Sequence, residues 1–341
     1  MNGRRIAPSS HVAIAGTASV PEMCGRLVSN AEVDDLVRRN GGREADRDWL
    51  VRNGLETRRW TAQPGGRRFD DSRETHELLT IAAERALLEA GISPSEVDVL
   101  ITSTTTPSRY TSAMATSVSG RLGITGMAMD VRAGCPSALH AFVVAANQIR
   151  AGASVAVVAA AETLSGVAPG VGPLTYLAGD AAAAVVLTAT AEPSRGILGG
   201  WVGNDGSVSE LVGSPGPMPP SQRTSEDDYR LRFEEGYDKV ARSAWESIGR
   251  ATLESAQVEP GRVGAFVANQ PGRARTLAAS MAAGVGSETV IDVVGTTANA
   301  GSASFMVALD NACRGSLDPD IPWLLVSVGG GLSYIGIVIK P

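Results

Sequence analysis

Residues 94–103, PSEVDVLITS, return 166 positions later as residues 260–269, PGRVGAFVAN. Each stretch opens on a proline and runs into a short apolar strand, with Val97 answering Val263 and Ile101 answering Val267. Self-similarity at one fixed offset is the mark of an internal duplication. Upstream of each stretch the apolar spacing predicts a helix, over residues 76–91 (ending at Gly91) and 238–256. Downstream of the first come a predicted helix over 111–122, a strand at 127–131 (MAMDV), a small-residue helix over 137–152 and a strand at 154–162 (SVAVVAAAE). Downstream of the second the same order recurs: a helix at 275–285, a strand at 290–294 (VIDVV), a small-residue helix over 302–315 and a strand at 323–331 (WLLVSVGGG). Such alternation builds α/β sheets. The chain thus divides into two copies of one unit, residues 1–190 and 191–341. The two small-residue helices are rich in Ala and Ser, so backbones can approach them closely on every side. An α/β fold of five layers, α-β-α-β-α, follows, with those helices sandwiched between two sheets.

Two segments lie outside the repeat. After a strand-like VAIAG at 12–16, a polar stretch runs to about Glu74 with helical patterns at 31–37 and 47–53, and reads as an elaborated surface segment. Residues 214–225 (SPGPMPPSQRTS) carry four prolines and read as an irregular loop.

Composition narrows the function. The 341 residues are 43% apolar and 19% charged, a globular profile with enough chain to bury a sizeable core. A net charge of −6 argues against a nucleic-acid surface. No stretch approaches the roughly 18 apolar residues of a membrane helix, and the first residues lack a signal-peptide core, so a cytoplasmic location is expected. The three cysteines, Cys24, Cys135 and Cys313, are far apart, which fits reduced thiols rather than disulfides or a metal clip. No metal site is expected.

Cys135 stands in Arg132-Ala133-Gly134-Cys135-Pro136-Ser137, between a predicted strand and a small-residue helix. Glycine permits a tight turn there, and proline suits a first helical turn. A thiol at a helix N-terminus gains thiolate stabilisation from the helix dipole and free N–H groups, which predicts a lowered pKa and a usable nucleophile. A cysteine is more often a buried small apolar filler; Cys24 and Cys313 lack the helix-start setting and read as structural.

Over nearly its whole length the chain resembles the β-ketoacyl-acyl carrier protein synthase III group of the thiolase superfamily. The resemblance rests on the Cys135 turn, on the glycine-aspartate strand of residues 176–187 (YLAGDAAAAVVL), on Asn299-Ala300-Gly301-Ser302, and on Gly329-Gly330-Gly331 before the last strand. Asp48-Trp49-Leu50 and Arg52-Asn53-Gly54-Leu55 resemble the segment that contacts coenzyme A. The resemblance implies a thiolase-like fold and transfer of an acyl group from a thioester onto Cys135, followed by attack of a second substrate. It implies an oxyanion hole from the N–H groups of Cys135 and Gly330, and a donor amide at Asn299. Trp49, Arg52, Arg273 and Arg275 are the candidates to hold coenzyme A or phosphopantetheine, since guanidinium both stacks and binds phosphate. The thioester is substrate, and no resident cofactor is implied. Homodimers are usual in the family.

The departure from the family is at Asn269, where its catalytic histidine usually stands. An amide can donate but is no base near pH 7. The chain has only three histidines. His11 and His76 read as solvated structural residues, and His140, five positions after Cys135, projects from a different side of the helix. The expected function is therefore a synthase III-like acyltransferase of polyketide or related specialised metabolism. It passes an acyl group from acyl-CoA or acyl carrier protein through Cys135 to a carrier thiol, hydroxyl or amine. The alternatives are a decarboxylating synthase using malonyl thioester and a noncatalytic partner subunit. By analogy the 214–225 loop borders the substrate entrance.

Overall fold

The structure, a computed structural model, describes residues 2–66, 68–214, 216 and 224–341. The proline-rich loop at 214–225 lies for the most part outside the described residues.

Two large sheets form among the described residues. The first has strand order Val12–Ser19, Asp180–Ala189, Val155–Thr163, Val99–Ser103, Met127–Val131. Its last three strands run parallel and the first two pair antiparallel. The second has the order Arg4–Ile6, Gly196–Asn204, Ser333–Lys340, Trp323–Gly329, Ala265–Ala268. The stretches at 94–103 and 260–269 therefore occupy equivalent places. Arg4–Ile6 and Ser9–Ser10, in the first half by sequence, cross to the second sheet and pair with its Gly196–Asn204 strand.

The counterpart of Met127–Val131 is missing from the second sheet. The strand expected at 290–294 is reduced to one bridge, Phe266 to Val290. The cause is Asp292: its Oδ1 accepts the Val294 N–H at 3.0 Å and its Oδ2 pairs with Arg273, which turns the chain into the short helix Val294–Thr297.

The layers are as the small-residue helices require. Ser137–Arg150 and Gly301–Arg314 lie between the sheets, in a core that draws Ile101, Val158 and Val185 from one sheet and Val267, Leu325 and Ile337 from the other. Ala138, Ala141, Ala145, Ala303 and Ala308 are all fully buried in it, so the helices are buried on most sides rather than amphipathic. Thr75–Ala90 and Met114–Leu122 cover the outer face of the first sheet, while Tyr237–Ala256 and Arg273–Ala282 cover that of the second. Gly91 stops the first outer helix as expected, in the left-handed conformation (φ 67°).

The polar segment before residue 74 is more deeply anchored than a surface elaboration. Its helices, Asn30–Arg39 and Arg47–Arg52, start at Ser29 and Asp46, whose side chains accept N–H groups of the first turn. The hairpin Arg26–Ser29/Thr57–Trp60 carries the fully buried Arg58 and Trp60, which donate to the carbonyls of Tyr176 (3.1 Å) and Ala178 (2.9 Å). Thr61 N–H and Oγ1 both donate to Asp180 at 2.7 Å. These bonds hold the segment against the 176–180 loop, whose Leu177 carbonyl and Gly179 N–H pair with the backbone of Asn299.

Phe305 is the bulkiest buried side chain of the central helix Gly301–Arg314. Phe305→Ala leaves a cavity between the sheets and is expected to lower the unfolding free energy by about 3–5 kcal/mol. A denaturation midpoint that converts to less than about 1 kcal/mol contradicts that placement.

Candidate active site

The strand Met127–Val131 leads into a tight turn at Gly134 (φ 67°), Cys135 follows, and the central helix begins at Ser137. Ser137 staples the turn. Its Oγ accepts the Ala133 N–H at 2.6 Å and donates to the Gly134 carbonyl at 2.5 Å. Gly329-Gly330-Gly331 lies directly against Cys135. A Cβ on Gly329 would fall 2.8 Å from both Cβ and N of Cys135, and one on Gly134 would fall 3.1 Å from the Gly330 carbonyl oxygen. Only glycine permits these contacts. No carbonyl of the described residues accepts the N–H of Cys135 or Gly330, so both remain available to an oxyanion.

Asn299 enters from the opposite half. The Gly301 N–H donates to its Oδ1 at 2.9 Å, and because a backbone N–H is only a donor, this fixes which end of the amide is oxygen. The amide nitrogen is left without an acceptor among the described residues, and Asn299 lines a cavity with Cys135. Asn269 is 1% exposed and bound more tightly. Its Oδ1 accepts from Ser327 Oγ at 2.7 Å and Val328 N–H at 3.1 Å, and its Nδ2 is 3.4 Å from the Val328 carbonyl.

Cys135, Asn269, Asn299 and Gly330 all line one cavity of about 1910 Å³. Trp49 and Arg275 stand on its wall, the latter paired with Asp238 at 2.5 Å. Arg52 and Arg273 are off the wall. Arg52 is exposed, and Arg273 pairs with Asp292 beneath Gly54.

The helix-start setting does not lower the Cys135 pKa. Burial pushes the thiol up from 9.0 to about 12, and the Glu162 carboxylate adds to the rise. That rise corresponds to roughly 4 kcal/mol, whereas a helix terminus contributes about 0.3–2 kcal/mol in the other direction. Desolvation wins, and the resting sulfur is a thiol. Glu162 itself is wholly buried and raised by burial, although Thr104, Thr105, Thr106 and Ser302 all donate to it. Its signal in the sequence is the acidic end of the otherwise apolar SVAVVAAAE strand.

No histidine is among the cavity residues. His140 Nε2 is 3.1 Å from Ser333 Oγ, and burial holds its pKa low. His11 is exposed, with Nδ1 3.1 Å from the Thr190 carbonyl. His76 is not solvated, contrary to expectation: it is 3% exposed, packed by Ser108, Glu74 and Arg121, whose Nη2 is 2.9 Å from His76 Nε2. Burial first and the Arg121 charge second lower its pKa. Among the described residues no group of three His, Cys, Asp or Glu side chains is placed to hold a metal, and no helix is long and apolar enough to cross a membrane.

Two duplicated halves in five layers, with a cysteine turn facing a glycine turn from the other half, define the thiolase superfamily. Residues 129–206 match the family model of 3-Oxoacyl-[acyl-carrier-protein (ACP)] synthase III, and residues 253–341 that of its C-terminal region. The chain is 30% identical over 326 residues to the β-ketoacyl-[acyl-carrier-protein] synthase III of Dinoroseobacter shibae, covering 92% of this chain and 95% of that one. It is 32% identical over 332 residues to that of Rhizorhabdus wittichii, covering 96% and 98%. The solved priming β-ketosynthase from the R1128 polyketide biosynthetic pathway is similar at a TM-score of 0.83 and 25% identity, over 99% of this chain and 98% of that one. The chain belongs to the β-ketoacyl-acyl carrier protein synthase III family.

A thiol with a pKa near 12 predicts that alkylation of Cys135 by iodoacetamide rises about tenfold per pH unit from pH 7 to 10. A plateau with a midpoint below pH 8 would show the helix terminus to prevail over burial.

Proposed function

We propose that this chain is an acyltransferase of the synthase III type that loads Cys135 from an acyl-CoA or acyl carrier protein thioester. It then passes the acyl group to a carrier thiol, a hydroxyl or an amine, without decarboxylating a malonyl unit. The observation that carries this reading is the state of Asn269. Its carboxamide oxygen is taken by Ser327 and Val328, and an amide accepts no proton near neutral pH. The residue that the family uses beside the nucleophile is thus replaced by one whose bonds run into the strand behind it.

The rest of the site suits acyl transfer. Attack of the Cys135 sulfur on the thioester carbonyl places negative charge on that oxygen, within a turn whose Cys135 and Gly330 N–H groups are unspent. The donor thiol leaves and an acyl-Cys135 remains. An acceptor nucleophile then repeats the attack, and the Cys135 thiol is regenerated. The Asn299 amide adds a donor from the second half. A cavity of about 1910 Å³ exceeds the usual 300–1,000 Å³ of small-ligand sites, which leaves room for a pantetheine arm, an acyl chain and an acceptor together. Trp49 and Arg275 are the wall residues suited to the donor's adenine and phosphates. The thioester enters as substrate and no resident cofactor is required.

Polyketide or related specialised metabolism is the setting we favour, because a priming ketosynthase of such a pathway covers nearly the whole chain. A cytoplasmic homodimer completes the reading. Met127–Val131 ends its sheet with one edge unpaired among the described residues and with Met127 exposed, which fits pairing with the same strand of a second copy.

Intact-protein mass spectrometry over a panel of acyl-CoA and acyl carrier protein thioesters tests the loading step. One acyl mass is expected on the wild type, discharged when an acceptor is added, and none on Cys135→Ala. No adduct with any donor would favour the noncatalytic partner subunit and overturn the enzymatic reading.

A further inference from the structure

Asn269 and Asn299 have their amide oxygens committed to protein donors, and neither handles protons. Tyr237 differs from both. It opens the outer helix Tyr237–Ala256 and shares one helix face with Ala241 and Trp245, and all three stand on the cavity wall with Cys135. Its position is braced. The ring lies edge-on to Phe233 with centroids 5.0 Å apart, its N–H donates to the Glu234 carbonyl at 3.3 Å, and the adjacent Asp238 is held by Arg242 at 3.0 Å and Arg275 at 2.5 Å. Phe233 belongs to the small ribbon Val212–Gly213/Arg232–Phe233, whose Val212 rests on Gly330. The tyrosine is therefore tied to the same turn that faces the nucleophile. Its hydroxyl has no hydrogen-bond partner among the described residues. Burial first, and charge on Cys135 second, oppose ionisation of the phenol.

We propose that the Tyr237 hydroxyl is the proton relay for acyl transfer at Cys135, in a cavity that holds no histidine. The inference rests on the acyl-transfer reading above. A phenol both donates and accepts, so it can pass a proton while staying neutral. In loading, the Cys135 S–H proton goes to Tyr237 Oη as the Oη proton goes to the departing donor sulfur. The bond from acyl carbon to Cys135 Sγ forms and the bond to the donor sulfur breaks. In discharge, the acceptor's O–H, N–H or S–H proton goes to Oη and the Oη proton to Cys135 Sγ. The new acyl bond forms, the thioester to Cys135 breaks, and thiol and phenol are both restored. Burial raises the pKa of both groups, so both rest uncharged near pH 7, as a relay requires and a phenolate base would not allow.

Tyr237→Phe keeps the ring and its contact with Phe233 and removes only the hydroxyl. Single-turnover loading of Cys135 followed by mass spectrometry from pH 6.5 to 9 is the test, with wild type in parallel. The variant is expected to load at least about 100-fold more slowly at pH 7. Its rate should rise about tenfold per pH unit, because it must wait for a preformed thiolate, while the wild-type rate stays nearly flat. The donor Kd should be the same for both. A variant within threefold of wild type, or one that is slow with an unchanged pH profile, overturns the relay alone. A wild type that never loads overturns the acyl-transfer reading and the relay with it.

Discussion

Gly329 leaves no space for even a methyl group beside Cys135. That contact joins the Cys135 turn to the C-terminal end of the Trp323–Gly329 strand, and the remaining features of the site follow from it. The central helices must be small enough for the two sheets to close to this distance, which is why Ala138, Ala141, Ala303 and Ala308 fill the interior. The Ser137 staple holds one side of the contact, and the N–H groups left over at Cys135 and Gly330 face the space between. Asn299 reaches the same space because it lies just before the Gly301–Arg314 helix of the second half while its carbonyl accepts from the Gly179 N–H at 3.1 Å in the first.

The same closeness decides the electrostatics. Burial in the cavity wall pushes the Cys135 thiol up, so the thiol stays protonated at rest. Low local dielectric also strengthens hydrogen bonds to a developing oxyanion. The site is therefore poor at holding a free thiolate and well suited to stabilising charge that appears only during attack. Proton movement, rather than thiolate formation, becomes the chemical problem, and the cavity has no histidine with which to solve it.

Much of this was legible in the chain itself. The 166-residue offset, the proline before each repeated strand and the alanine-rich helices led to two copies around a buried pair of helices, and the glycine at 91 marked a helix end correctly. The absence of a histidine at position 269 was also plain. Features that depend on non-local neighbours were not. VIDVV has the composition of a strand, but Asp292 finds Arg273 and caps the next turn. His76 looked solvated because Ser108 and Arg121, which cover it, lie 32 and 45 residues away. The rise in the Cys135 pKa follows from tertiary burial and Glu162, and neither is written in the six residues around the thiol. Tyr237 drew no notice because a lone aromatic at a helix start carries no pattern.

On the proposed function, acyl-Cys135 is discharged by direct transfer and not by condensation. Offering a malonyl thioester labelled in its free carboxyl group to the preloaded enzyme tests this most directly. The label is expected to stay on the malonyl unit while an acceptor thiol, amine or hydroxyl discharges Cys135. Stoichiometric release of labelled CO₂ with each turnover would contradict it and identify a condensing synthase that works with Asn269 in place of histidine.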